Sequence, residues 1–203
     1  MNNSEHKIIN NNTNLIICFG GIALQFGGIL PFEFLRYLSS KYKDKCDLIF
    51  YIDKNKCWYH KGIQDITNNI DETVIYLNNI ITNGNYKKVI FMGTSAGGYA
   101  SILFGSLCHN VNNIISFIPQ TILNEPIDKT YTNLKNIINE NKKYIVCGDT
   151  SIQDKNNNHH FIHCKNIDCF SNIKIIKFDK LNMKQLRDNG FIKKLIDDIL
   201  LED

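Results

Sequence analysis

An apolar run, Lys88-Val89-Ile90-Phe91-Met92, ends in Gly93-Thr94-Ser95-Ala96-Gly97 and continues as a small-residue helical pattern, Gly98-Tyr99-Ala100. Few folds accept this order of residue types. The apolar run suits a strand buried on both faces. The glycines flanking Ser95 remove side chains that a tight strand-to-helix turn could not hold. Such a turn lifts a serine hydroxyl above the end of a sheet, as a nucleophile elbow does. The helix after it aims its first N–H groups at the same point, where they favour developing negative charge. An incidental serine in a glycine-rich turn has the same spacing, so the surrounding elements must decide between the two readings.

Those elements alternate. Segments 14–19, 47–52, 114–118, 144–147 and 173–178 read as strands, which with the run before Ser95 makes six. Pro31 opens a helix with Phe32, Leu35 and Leu38 on one face. Ile66, Ile70, Val74, Leu77 and Ile81 mark a second apolar stripe, stopped by Asn83-Gly84-Asn85, and further helical patterns cover 134–141 and 183–200. Strands separated by amphipathic helices predict a mainly parallel sheet with right-handed crossovers, a single-domain three-layer α/β sandwich over 14–203. Residues 1–13 are polar and rich in asparagine and read as a flexible leader. Working groups of open α/β sheets collect at the carboxyl ends of strands, where Gly20-Gly21, Asp53, Ser95, Gln120 and Asp149 fall.

Composition excludes more than it assigns. The 203 residues carry a net charge of +3 with scattered basic residues, which gives no footprint for nucleic acid or a membrane surface. No apolar stretch reaches the length of a membrane span. Seven cysteines without a Cys-x-x-Cys pair fit buried free thiols in a reducing compartment, so a cytoplasmic protein is expected.

The elbow and the strand order resemble a small α/β-hydrolase, over nearly the whole length from Leu15 onward. The resemblance implies a trimmed fold, six-stranded, lacking the family's first two strands and any lid domain. It implies Ser95 as nucleophile. It also implies an oxyanion hole formed by the N–H of Ala96 and an N–H of Gly21 or Ile22, in the loop after the first strand of this chain. It places an acid after the strand ending at Cys147, where Asp149 and Asp154 are candidates, and a histidine after the strand ending at Phe178. There the chain reads Asp179-Lys180-Leu181-Asn182, with no histidine. A narrower resemblance rests on Phe19-Gly20-Gly21-Ile22, Pro31-Phe32-Glu33-Phe34, Asp53 with Trp58-Tyr59-His60-x-Gly62, and Pro119-Gln120-Thr121. These segments are similar to those of short hydrolase-like proteins loosely associated with glycans, which implies an O-acylated sugar as substrate.

A serine without a base is a poor nucleophile, so the missing histidine matters. A triad is defined by geometry, not chain order, and His159, His160 and His163 lie in the loop after the acid-bearing strand. His160 is the expected base, because it leaves enough chain after Asp149 to fold back. The cluster His159-His160-x-x-His163-Cys164 with Cys169 has imidazole and thiol groups that suit zinc, but it matches no familiar zinc framework, so no metal and no cofactor is expected. Trp58, the sole tryptophan, with His60, Asp53 and Gln120 is expected to line the substrate pocket. The sequence therefore predicts a serine esterase or deacylase acting on a small-molecule or glycan ester. A lapsed hydrolase that binds a ligand or partner, and an acyltransferase, remain as alternatives.

Overall fold

A computed structural model describes residues 4–22 and 32–202. One seven-stranded sheet runs through it in the order β1-β3-β2-β4-β5-β6-β7. The strands are β1 (Glu5–Ile8), β2 (Asn14–Phe19), β3 (Asp47–Tyr51), β4 (Lys88–Thr94), β5 (Asn113–Phe117), β6 (Lys143–Asp149) and β7 (Ile173–Phe178). All neighbouring pairs are parallel except β1 with β3. The helices are α1 (Leu35–Tyr42), α2 (Ile70–Gly84), α3 (Ala96–Leu107), α4 (Ile162–Ile167), α5 (Met183–Asp188) and α6 (Phe191–Leu201).

The period-2 alternation of strand residues divides the core into two layers. On one face Leu15, Ile17, Phe19 and Phe91 pack with Ile70, Leu77 and Ile81 of α2 and with Tyr99, Ile102 and Leu103 of α3. On the other, Ile16, Cys18, Ile90 and Met92 pack with Leu38 of α1 and Ile192, Leu195, Ile196 and Ile199 of α6. Helix α2 starts where the Asn69 side chain accepts the Glu72 N–H at 2.8 Å, a capping interaction, and ends at Asn85 in the left-handed region. Helix α3 is buried along almost its entire length, and the ammonium of buried Lys142 donates to the carbonyls of Gly105 and Cys108 at its carboxyl end.

Four sequence expectations are corrected. The sheet has seven strands rather than six, because Glu5–Ile8, expected to be flexible leader, forms an antiparallel edge against β3. Edge strands tolerate charge, and the carboxylate of Asp47 accepts the N–H groups of Asn10 and Asn12 and so anchors the asparagine run behind it. Segment 134–141 forms only a 3-10 turn, Leu134–Ile137. The pattern over 183–200 divides into α5 and α6 at Gly190, whose φ of 80° interrupts the helix. Helix α1 begins at Leu35; Pro31, expected to open it, lies outside the described residues. No helix among the described residues is long and apolar enough to cross a membrane.

Candidate active site

Ser95 sits between β4 and α3 with φ 58° and ψ −121°, the strained geometry of a sharp strand-to-helix turn. Its own N–H donates to the Phe117 carbonyl at 2.9 Å, and its carbonyl accepts from Tyr99 at 2.9 Å. Glycine is required on both sides. A Cβ on Gly93 would stand 2.3 Å from the Gly97 carbonyl oxygen, and one on Gly97 would stand 2.0 Å from that of Phe19. The Gly-x-Ser-x-Gly spacing is thus a packing demand of the turn itself.

The imidazole that meets the serine belongs to His159. Its Nε2 lies 2.8 Å from Ser95 Oγ. The loop after β6 curls back over the end of β5, and a short parallel bridge joins His160 to Asp149. The Asn157 side chain accepts the His159 N–H at 2.8 Å and closes the turn that presents the ring. Burial lowers the His159 pKa from its usual 6.5, so the ring is neutral around pH 7 and able to accept a proton.

His160, the expected base, faces elsewhere. Its Nδ1 accepts the Ile162 N–H at 3.0 Å, at the entry to α4. The two rings are neighbours in sequence, and only the bridge register and the Asn157 turn decide which one reaches Ser95. His163 is buried, and its Nδ1 accepts the Ile122 N–H at 3.4 Å.

Neither expected acid orients His159. Asp149 accepts the N–H and hydroxyl of Ser151 at 2.8 and 2.6 Å and the Leu181 N–H at 2.9 Å, tying the ends of β6 and β7 together. Burial raises its pKa, but these hydrogen bonds outweigh burial and hold the carboxyl below the usual range. Asp154 is exposed and accepts the Asn156 N–H. Among the described residues no carboxylate is hydrogen-bonded to His159, so the structure brings Ser95 and His159 together without an acid.

On the other side of Ser95, a Cβ on Gly21 would lie 3.6 Å from Ser95 Cβ, so the turn after β2 abuts the elbow. Ala96 opens α3, and its N–H is a first-turn donor without an intrahelical partner. Gly21 N–H, one of the two expected donors, instead meets the Glu33 carboxylate at 3.3 Å. Ile22, the other, is partly exposed beside it. Glu33 was not anticipated as a site residue; the signal was a lone carboxylate within the apolar run Phe32-Glu33-Phe34-Leu35. Burial pushes its carboxyl up to about 7, against the Thr94 hydroxyl, the Gly21 N–H and Arg187, which favour the charged form.

Of the residues expected to line the pocket, Asp53 and His60 do structural work instead. Asp53 is buried and accepts the N–H groups of Cys57 and Tyr59 at 2.7 and 3.0 Å. Those bonds hold Trp58 and Tyr59 at φ 55° and 62°. His60 is buried, takes the Asp128 N–H on Nδ1 at 3.0 Å and faces the Tyr99 hydroxyl through Nε2 at 2.8 Å. Trp58 and Gln120 do come together, the indole N–H donating to the Gln120 side-chain oxygen. Gln120 follows β5, the strand whose Phe117 carbonyl holds the Ser95 N–H. Trp58 remains partly exposed.

No family model matches the chain, and neither does any curated protein. Solved structures do. A capsule O-acetyltransferase of Neisseria meningitidis serogroup A, in complex with CoA, superposes with a TM-score of 0.64 at 12% identity, covering 92% of this chain and 87% of that one. A lipase-esterase related protein from Clostridium acetobutylicum gives 0.60 at 13% identity, over 96% and 98% of the two chains. A fluorophosphonate-binding serine hydrolase of Staphylococcus aureus gives 0.60 at 11%, over 94% and 84%. With its elbow after β4, its largely parallel sheet and these likenesses, the chain has the α/β-hydrolase fold.

Proposed function

We propose that this chain is an acyl-handling serine enzyme, an esterase or deacylase working through an acyl-enzyme on Ser95 with His159 as its base. The observation that carries this reading is the 2.8 Å approach of His159 Nε2 to Ser95 Oγ. It lies within the reach that proton transfer requires. His159 takes the hydroxyl proton as Ser95 Oγ attacks the ester carbonyl. Ala96 N–H and an N–H of the Gly21–Ile22 turn stabilise the tetrahedral oxyanion. His159 returns the proton to the departing alcohol. It then takes one from water, whose oxygen attacks the acyl carbon, and gives it to Ser95 Oγ as the carboxylic acid leaves. A base at this distance speaks against a lapsed site, in which nothing would activate the serine.

The likeness to a capsule O-acetyltransferase in complex with CoA favours a second reading, an acyltransferase. There Ser95 takes the acyl group from a thioester, releasing the thiol, and passes it to a sugar hydroxyl in place of water. The same likeness, together with the partly exposed Trp58 indole, supports an O-acylated sugar as the natural ester. Asp149 and Asp154 have no part in this reading, and the dyad works without an acid. Incubation with p-nitrophenyl acetate tests it. Acetylation should map to Ser95, and Ser95→Ala should abolish both the adduct and nitrophenol release. Turnover that survives Ser95→Ala would refute the reading.

A further inference from the structure

We propose that Glu33 is the positioning residue of the oxyanion turn. Its carboxylate takes the Gly21 N–H, ties that turn to the elbow, and leaves the next amide, Ile22 N–H, to face the acyl oxygen together with Ala96 N–H. This rests on the acyl-transfer reading above.

Three observations carry it. The Gly21 N–H donates to Glu33 Oε2 at 3.3 Å, so the same proton is not free to hold an oxyanion. A Cβ on Gly21 would meet the Thr94 carbonyl oxygen at 3.0 Å and Ser95 Cβ at 3.6 Å, so a shift of this turn is a shift at the nucleophile. The Thr94 hydroxyl, one residue before Ser95, lies beside the same carboxyl. One side chain therefore spans the oxyanion turn and the strand that delivers the serine.

Glu33 also makes the site sensitive to pH. The groups facing it are Cys18 of β2, Tyr59 beyond β3, Thr94 of β4 and Arg187 of α5. Burial pushes the Cys18 thiol and the Tyr59 phenol far up, so both stay neutral near pH 7. The titrating member of the group is Glu33. As a carboxylate it offers only acceptors to the donors around it; once protonated it must aim a hydrogen at one of them, and the turn loosens. Activity should therefore fall as pH drops through about 7.

The test is p-nitrophenyl acetate hydrolysis across the neutral range by the wild type, Glu33→Gln and Glu33→Ala, with Ser95→Ala alongside. Glu33→Gln removes the titration and, like the protonated acid, presents hydrogens to the donors around it. Its kcat in mild alkali should fall below that of wild type, as the wild type's own does when Glu33 is protonated. Its acid limb should move from about 7 to below 6.5, where His159 protonates. Glu33→Ala should lower kcat roughly 100-fold with KM nearly unchanged, the scale of a lost oxyanion donor. A faster Glu33→Ala would make Glu33 a blocker rather than a support and overturn the proposal, as would an unchanged one. An acid limb that stays in place in Glu33→Gln would overturn it too, and decides alone if Glu33→Ala does not fold. Turnover lost in Ser95→Ala but indifferent to Glu33 removes this inference only. A wild type without turnover, or turnover independent of Ser95, removes the acyl-transfer reading and this inference with it.

Discussion

Holding Ser95 at φ 58° costs roughly 1–3 kcal/mol for a residue with a side chain, and the surrounding packing fixes it there. That conformation points Oγ at His159, and the proposed chemistry divides the two adjacent histidines sharply. His159→Ala should lower ester hydrolysis by about 10²- to 10⁴-fold, the usual worth of a general base. His160→Ala should change it little, since that ring serves a backbone N–H. Steady-state kinetics on the two variants checks this, and the reverse ranking would contradict the dyad. The sequence points to this loop for the proposed base but does not choose between neighbours. The choice depends on the Asp149–His160 bridge and the Asn157 turn, contacts that no spacing rule encodes. His163 makes a separate prediction. Burial and the two nearby histidines lower its pKa to about 4 from 6.5. The unfolded chain thus binds this proton more readily, so stability is full above about 6.5 and falls as pH drops toward 4. The loss should approach roughly 3 kcal/mol. Urea unfolding at several pH values should show it, and His163→Gln should flatten that dependence.

At the scale of elements, α3 sits so close to the sheet that Gly97 touches the end of β2. Gly97→Ala would drive a methyl group into the Phe19 carbonyl, and overpacking of this kind costs about 1–3 kcal/mol or more. Thermal unfolding should register the loss, with activity falling further because the turn carries Ser95. The Trp58 segment is a second unit. Asp53 holds it by two backbone hydrogen bonds, and Trp58 is the one tryptophan in the chain. Asp53→Ala should therefore destabilise the fold by about 1–3 kcal/mol and shift the indole emission toward that of an exposed ring. An unchanged spectrum would mean that Asp53 does not set this turn. Asp53 is a polar residue at a strand end and His60 a polar partner beside aromatic rings, patterns that serve either a pocket or turn architecture. Their full burial assigns them to architecture. Strand positions were legible because apolar runs, continuous in 15–19 and interrupted by lysines in 173–178, leave little choice. The final helix pair was not, since a lone glycine such as Gly190 is tolerated within a helical pattern and does not by itself mark a break.

For the molecule as a whole, the sheet is closed at one side by β1, whose backbone covers β3 along residues 48–51. Its polar composition hid it, because an edge strand needs only one covered side and can carry charge. Removing residues 1–9 should bare that edge, lower the melting temperature and promote association between chains. Light scattering beside thermal unfolding measures both. The α/β architecture itself was readable from alternation and the elbow, whereas the Glu33 contact was not, because it joins segments that pattern alone does not bring together. The central claim, that Ser95 is an activated nucleophile served by His159, is tested most directly by intact-protein mass after exposure to a fluorophosphonate. The account predicts a single adduct on the wild type and on His160→Ala, none on Ser95→Ala, and labelling slowed by at least about 100-fold on His159→Ala. An unlabelled wild type, or equal labelling of wild type and Ser95→Ala, would contradict it.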